Sequence, residues 1–359
     1  MPDVICIGEL LVDFVANEEN IGLADVSSFT CAAGGAPANV AVAVQRLRSL
    51  SAGFVGKVGN DPLGVKLRNT LQSAGVNTTA LFVDEHEPTT IVFDSVWSDG
   101  HKDMCFYRGA DKCLLPEDIQ EEMFEDAQCL HCGSITCIEE PGASAQRKAL
   151  LLARGKGMMI SYDPNYRPTL WPDETTAHSK IFDGFKYAHM VKISEEEFNM
   201  ATGHENIENG IRAVIDQGAD LVVVSRGERG AVASNGDYVV ESPALKNIEI
   251  VETTGAGDGF LAALISRLLP EFKKHGGSLK TLDKGLVKDA LDFGNIVGGL
   301  TCSKPGAIPS LPSKEEIDEF MEKRKDTIAS NNTLSITPQR LAKMIDHSFL
   351  KKWRNRKAL

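Results

Sequence analysis

Residues Asp220–Gly227 read DLVVVSRG. Four apolar residues stand in a row, Leu221 to Val224, with no polar alternation. A strand that is apolar on both faces must be covered on both faces, which is the condition of a parallel sheet flanked by helices. Similar runs recur along the chain: "DVICIGELLVDFV" at 3–15, "AGFVGKVG", "QCLHCGSIT", "MMISYDPN" and "YAHMVKIS". Between them lie helical or turn-rich stretches such as "DPLGVKLRNTLQSAG" and "EEPGASAQRKALLLARG". Strands alternating with helices predict an α/β fold, a doubly wound, mostly parallel sheet, with ligands beyond the carboxyl ends of its strands.

One segment departs from this rhythm. "TTIVFDSVWSDGHKDMCFYRGAD" reads as two strands about an Asp99-Gly100 turn, a hairpin signal. Placed over the carboxyl edge of the sheet, this segment, about 89–110, is expected to form a small β lid together with residues from about 13–33. After "EEIDEFMEKRKD" the chain becomes polar and then basic, so residues 326–359 are expected to be an appendage to a domain of residues 1–325.

The chain has 359 residues, 42% hydrophobic and 25% charged, with a formal net charge of −12. These are ordinary values for a globular protein, but the acidity disfavours a nucleic-acid partner, whose phosphates need a basic surface. No run reaches the ~20 apolar residues of a membrane-spanning helix. The first residues lack the basic start of a signal peptide. Eight cysteines scattered through apolar segments suggest reduced thiols and a cytoplasmic location. Cys129, His131, Cys132 and Cys137 are close in sequence, but no second Cys/His pair stands at zinc-like spacing, so they are read as core.

The stretch with chemical content is "ETTGAGDGF" at 252–260, running into the apolar "LAALISRLL". Gly255, Ala256 and Gly257 lack bulk, so backbone can approach a ligand closely. A helix beginning there offers unpaired N–H groups and a partial positive charge, an anion hole suited to phosphate. Asp258 would repel phosphate as a ligand. It suits instead a general base for a nucleophile attacking that phosphate. On spacing alone, a first-turn acid favoured by the helix dipole is an equal alternative. The P-loop and protein-kinase signatures are absent, and no dinucleotide fingerprint follows the first strand.

Taken with "CIGELLVDF", "GGAPANVAVAVQRL", "FVGKVGNDPLG", "FYRGAD", "SYDPNYRPTLW", "VKISEEEFNMATG", "VVVSRGERGA" and "SKPGAIPSLPS", this loop resembles the ribokinase/PfkB family of carbohydrate kinases. The fructokinases are the branch it most resembles. The match runs from the first residues to about Arg324. It implies a ribokinase-like fold and ATP-dependent phosphorylation of a sugar hydroxyl, with Mg²⁺ and often a monovalent cation, K⁺.

Position by position, Asp258 matches the catalytic base and 255–257 the anion hole. Asp13, Gly34, Gly35, Asn39 and Arg108 match sugar-binding positions. Arg167 falls near both sugar and transferred phosphate, with Asp163 and Asn165 holding its loop. Lys192, Ser194, Ser225, Gly227, Gly230 and Asn295 fall along the nucleotide. Glu197 matches an acid that organises Mg²⁺ through water, with Ser194 where the family has Asn. Glu252, Thr254, Thr301 and Gly306 fall at the cation loop, with Glu252 where the family usually has Asp. Lid hairpins in the family often pair between subunits, so a homodimer through the lid is expected. The substrate expected is fructose. Alternatives are 2-keto-3-deoxygluconate, ribose, a nucleoside, or a non-catalytic scaffold, which should have lost the base or the glycines.

Overall fold

The computed structural model describes residues 1–97 and 102–333. The chain divides into two compact units, Met1–Lys314 and Glu315–Leu359. In order, the elements are β1 (Val4–Ile7), β2 (Leu11–Ala16), β3 (Phe29–Gly34), α1 (Ala36–Leu47), β4 (Ala52–Gly59), α2 (Pro62–Ser73), β5 (Leu81–Asp84), β6 (Ile91–Val96), β7 (Lys102–Tyr107), β8 (Cys129–Cys132), α3 (Gly142–Gly155), β9 (Met159–Tyr162), α4 (Glu174–Gly184), β10 (Met190–Ser194), α5 (Glu195–Thr202), α6 (Ile207–Gln217), β11 (Leu221–Ser225), β12 (Ala231–Ser234), β13 (Val239–Ser242), α7 (Ala256–Lys274), α8 (Lys284–Thr301) and α9 (Lys314–Thr333).

Nine strands form the main sheet in the order β13-β12-β11-β10-β9-β8-β1-β4-β5. It is parallel from β5 to β11, and only β12 and β13 run antiparallel at the edge. The expected doubly wound layout is therefore present. Ile5, Ile7, Leu130, Ile160, Val191 and Val222 share one core with Ala145, Ala149, Ile181, Ile211 and Val214 from α3, α4 and α6. On the other side α1 and α7 pack together, and α8 packs on α7. Local chemistry sets the helix starts. Asp61 caps α2 by accepting the Gly64 N–H at 2.8 Å, with Pro62 in the first turn.

Chain order reverses around β1: β4 and β5 lie to one side, β8 to β11 to the other. Such a switch point opens a crevice at the carboxyl ends of the strands. A second sheet, order β3-β2-β6-β7, is the β lid. "DVICIGELLVDFV", read as one strand, is two: β1 belongs to the main sheet and β2 to the lid, with Gly8–Leu10 turning between them. β6 and β7 pair antiparallel from Ile91↔Tyr107 to Val96↔Lys102. The Asp99-Gly100 turn expected to join them lies outside the described residues.

Cys129, His131 and Cys132 are fully buried on β8. Burial pushes both thiols up and takes the His131 imidazole down to about 4, and its Nδ1 lies 3.3 Å from Ser161 Oγ. These residues pack in the core as expected. All eight cysteines are free. Among the described residues no helix is long and apolar enough to cross a membrane.

Candidate active site

A cleft of about 480 Å³ opens where the lid meets the carboxyl ends of the main sheet. Its walls include Asp13, Gly35, Asn39, Arg167, Lys192, Thr254, Gly255, Gly257 and Asp258 from the expected set. Residues distant in sequence thus converge on one place.

The floor is the start of α7. Gly255, its N-cap, adopts φ +80° and ψ −7°, a left-handed conformation open to glycine at little cost. A Cβ on it would come within 3.2 Å of Ala307 Cα. Ala256 N–H turns back to Thr253 O at 3.2 Å. The following first-turn N–H groups stand at the positive end of a 19-residue helix. Lys192 comes to this mouth from β10: its Nζ is 3.3 Å from where a Gly257 Cβ would stand.

Asp258 sits in that first turn, half-buried, with Oδ2 accepting from Asn39 Nδ2 at 2.8 Å. Asn39 lies on α1, so this bond ties two helices together across the cleft floor. Burial raises the Asp258 carboxyl to about 7; Asn39's hydrogen bond opposes the rise, Asp163 adds to it, and Lys192 and Arg167 oppose it. A carboxylate that exchanges its proton near neutral pH, beside a cluster of amide donors, suits proton abstraction coupled to anion stabilisation.

Asp163 and Lys192 form a buried ion pair, Nζ to Oδ2 2.9 Å, with side chains 5% and 7% exposed. Burial works against the Lys192 charge, but Asp163, Glu197 and Asp258 outweigh it and raise its pKa. The other Asp163 oxygen accepts Asn165 N–H at 3.2 Å. Asn165 takes φ +47°, which Asn tolerates through local hydrogen bonding. Arg167 Nη1 then donates to the Asn165 and Tyr166 carbonyls at 3.3 and 3.1 Å, with its guanidinium on the cleft wall. Asp163 and Asn165 shape the loop that presents Arg167.

Several expected residues are placed differently. Glu197 does not line the cleft. Its carboxylate accepts two backbone N–H groups, Ser194 at 2.8 Å and Tyr166 at 2.6 Å, clamping α5 to the Arg167 loop. The exposed Glu196, one residue back, lines the cleft instead. Arg108 does not line the cleft either; it is held by Asp111 at 2.7 Å and Glu139 at 3.3 Å. Gly34 makes room for Asp13 and not directly for a ligand, since a Cβ there would stand 2.0 Å from Asp13 Oδ2.

Ser194 is the N-cap of α5. Ser225, Gly227 and Gly230 sit at the end of β11 and the turn after it. A Gly230 Cβ would strike Ser242 O at 2.1 Å, so this glycine serves close packing. Asn295 spends its amide on Ser242 O, Ser242 Oγ and Pro243 O, tying α8 to the β13 end. At the cation loop Glu252 Oε2 accepts Gly306 N–H at 2.7 Å, and Thr301 Oγ1 donates to Val297 O within α8. The cleft also holds Glu9, Leu11, Asp94, Met104, Phe106 and Ile135, which motif reading passed over.

A doubly wound sheet, a β lid and a glycine-capped helix mouth beside a titratable carboxylate are the marks of a ribokinase-like small-molecule kinase. The family model for pfkB family carbohydrate kinases matches residues 1–314. The chain is 37% identical over 322 residues to "Fructokinase-1" of Oryza sativa subsp. japonica, covering 89% of this chain and 97% of that protein. The fructokinase of Xylella fastidiosa with bound ATP superposes with a TM-score of 0.80 at 26% identity, covering 90% of this chain and 98% of that one. A double mutant of the Vibrio cholerae O395 fructokinase, in a form with fructose, ADP and potassium ion bound, gives 0.77 at 30% identity, covering 88% and 97%. This chain belongs to the pfkB family of carbohydrate kinases.

Proposed function

We propose that the protein is an ATP-dependent fructokinase, converting fructose and ATP to fructose 6-phosphate and ADP with Asp258 as general base. The observation that carries the mechanism is the Asp258 carboxyl at the mouth of α7, one oxygen held by Asn39, facing a lidded cleft. The fructokinase relatives carry the choice of sugar.

In this reading Asp258 takes the proton from the sugar's 6-hydroxyl as its oxygen attacks the γ-phosphorus. The new O–P bond forms while the bond to the bridging oxygen of ADP breaks, and the Asp258 proton passes to solvent after product release. First-turn amides of α7, Lys192 and Arg167 stabilise the charge on the moving phosphoryl group. Asp13 and Asn39 orient the sugar hydroxyls, and lid closure excludes water as a competing nucleophile.

Mg²⁺ would enter with the nucleotide, supplying positive charge along the β- and γ-phosphates. Among the described residues no cluster of three or more Asp, Glu, His or Cys is arranged to hold a metal. The donor set suits an ion that keeps its waters, with Glu196 placed to hold them. A monovalent cation has less to do here, because Glu252 already bridges to Gly306.

The cysteine pattern supports a cytoplasmic location, and residues 326–359 are read as an appendage outside this chemistry. The lid supports a homodimer. Phe14, Phe93 and Tyr107 face away from the cleft side of Asp94 and Phe106, and Phe14 stacks on Phe93 at 5.1 Å. Light scattering showing a monomer would remove the dimer and leave the chemistry intact.

The experiment is coupled ADP release with ATP across fructose, ribose, a ribonucleoside and 2-keto-3-deoxygluconate. Fructose should give the highest kcat/KM. Preference for any other acceptor would overturn the substrate, and no turnover with any of them would overturn the kinase reading.

A further inference from the structure

The turn that carries the chain from the main sheet to the lid is packed onto the start of α1. β1 ends at Ile7 and β2 begins at Leu11, so Gly8, Glu9 and Leu10 form that turn. A Cβ on Gly8 would stand 2.5 Å from Pro37 Cγ, and one on Gly35 would stand 2.4 Å from Glu9 O. Glu9 is buried, and its Oε1 accepts the Ala36 N–H at 3.0 Å.

That bond caps α1 from outside the helix. Gly35, the N-cap of α1, has no side chain to offer and adopts φ +108°. Pro37 has no N–H, and the Asn39 N–H turns back to Gly35 O at 2.9 Å. Glu9 thus satisfies the first orphan donor of α1, as an N-cap carboxylate would, at the positive end of that helix. One turn further along, Asn39 Nδ2 holds Asp258 Oδ2 at 2.8 Å. Burial raises the Glu9 carboxyl to about 7; its own N–H, the Ala36 N–H and Arg108 oppose the rise, and Asp111 adds to it. A protonated carboxyl still accepts through its carbonyl oxygen, so the cap persists on either side of that value.

We propose that Glu9 is a positioning residue for the catalytic base. From the root of the lid it fixes the first turn of α1, and through that turn the Asn39 amide that holds Asp258. This deepens the kinase reading of the same cleft, on which it rests for the role of Asp258.

The test is the acid limb of kcat/KM against pH in two variants. Glu9→Leu removes the acceptor, whereas Glu9→Gln removes the charge and keeps a carbonyl oxygen for Ala36. Glu9→Leu should lose part of the Asn39 hold, moving the limb up by about 0.5–1 unit and lowering kcat/KM at pH 7 by about two- to fivefold. Glu9→Gln should keep the wild-type limb. The charges that face Asp258, namely Asp163, Lys192 and Arg167, are the same in both variants, as are Asp111 and Arg108 near Glu9. In an Asn39→Ala background, Glu9→Leu should add less than about 0.2 unit, because two changes acting through one contact do not add. Glu9→Ala serves the same comparisons should Glu9→Leu fail to fold. A Glu9→Leu limb within about 0.2 unit of wild type would overturn the proposal. So would a Glu9→Gln limb that moves as far as that of Glu9→Leu, or full additivity with Asn39→Ala. Carboxyl ¹³C NMR of Asp258 in the unliganded protein reads the same shift without turnover. A wild type that phosphorylates no acceptor therefore overturns the kinase reading alone, and an NMR shift absent from Glu9→Leu overturns the role of Glu9 alone.

Discussion

Replacing Asn39 with Ala tests how the cleft sets its base. Asn39 Nδ2 donates to Asp258 Oδ2 at 2.8 Å, and this bond holds down a carboxyl that burial raises to about 7. A hydrogen bond to a charged acceptor contributes about 1.5–3 kcal/mol. At 1.36 kcal/mol per pKa unit, its loss raises the Asp258 pKa by about 1–2 units. Asp258 is only half-buried, so solvent softens the effect and about 1 unit is expected. The assay is kcat/KM for the sugar against pH, which reports the base of the free enzyme. In the wild type the rate should fall about tenfold per unit below roughly pH 7. In Asn39→Ala that limb should move to roughly pH 8, cutting the ionised fraction at pH 7 from about one half to about one tenth. The loss remaining on the alkaline plateau measures Asn39's own contact with sugar. A limb that stays within about 0.3 unit of wild type would refute the coupling between α1 and the base.

Other outcomes follow from the same geometry. Lys192→Met leaves Asp163 buried without its cation, so urea unfolding should show a loss of about 3–5 kcal/mol. Adding Asp163→Asn should restore most of that stability but not ATP affinity; recovery of both would deny Lys192 a role at the phosphates. Glu252 already joins its loop to Gly306, so turnover in KCl and in tetramethylammonium chloride should agree within about twofold, the scale of ordinary salt effects on exposed charges. Activation by K⁺ well beyond that would show that a cation completes the loop. A chain ending at residue 325 should keep wild-type kcat/KM, and a marked loss would place residues 326–359 in the mechanism.

The fold was legible because strands such as Leu221–Ser225 are apolar on both faces, a pattern that only a covered parallel sheet satisfies. The lid strands were legible from the break in that pattern. The point where residues 3–15 pass from one sheet to the other was legible only roughly, with the lid expected from about 13 and β2 starting at Leu11, because β1 and β2 are both apolar and only Gly8–Leu10 separates them. In the cleft, Asp258, Asn39 and Arg167 stood out because each lies in a motif. Glu9 and Asp94 did not, although an acid at an inward position of "IVFDSV" was a usable signal. Helical phase decides between neighbours that a motif cannot separate. In "SEEE", Glu197 turns inward to cap its own helix while Glu196 faces the cleft. Arg108 shows a related limit: its guanidinium pairs with the buried Asp111, and no linear pattern shows that pairing.

The account rests on Asp258 removing a proton, and Asp258→Asn tests it most directly. The amide keeps the shape of the side chain and its place at the head of α7, but it cannot accept the proton. At saturating fructose and ATP, kcat should fall by at least ~10²-fold, the contribution expected of a general base, while calorimetry still shows fructose binding. A variant that binds fructose and turns over within about threefold of wild type would contradict the mechanism.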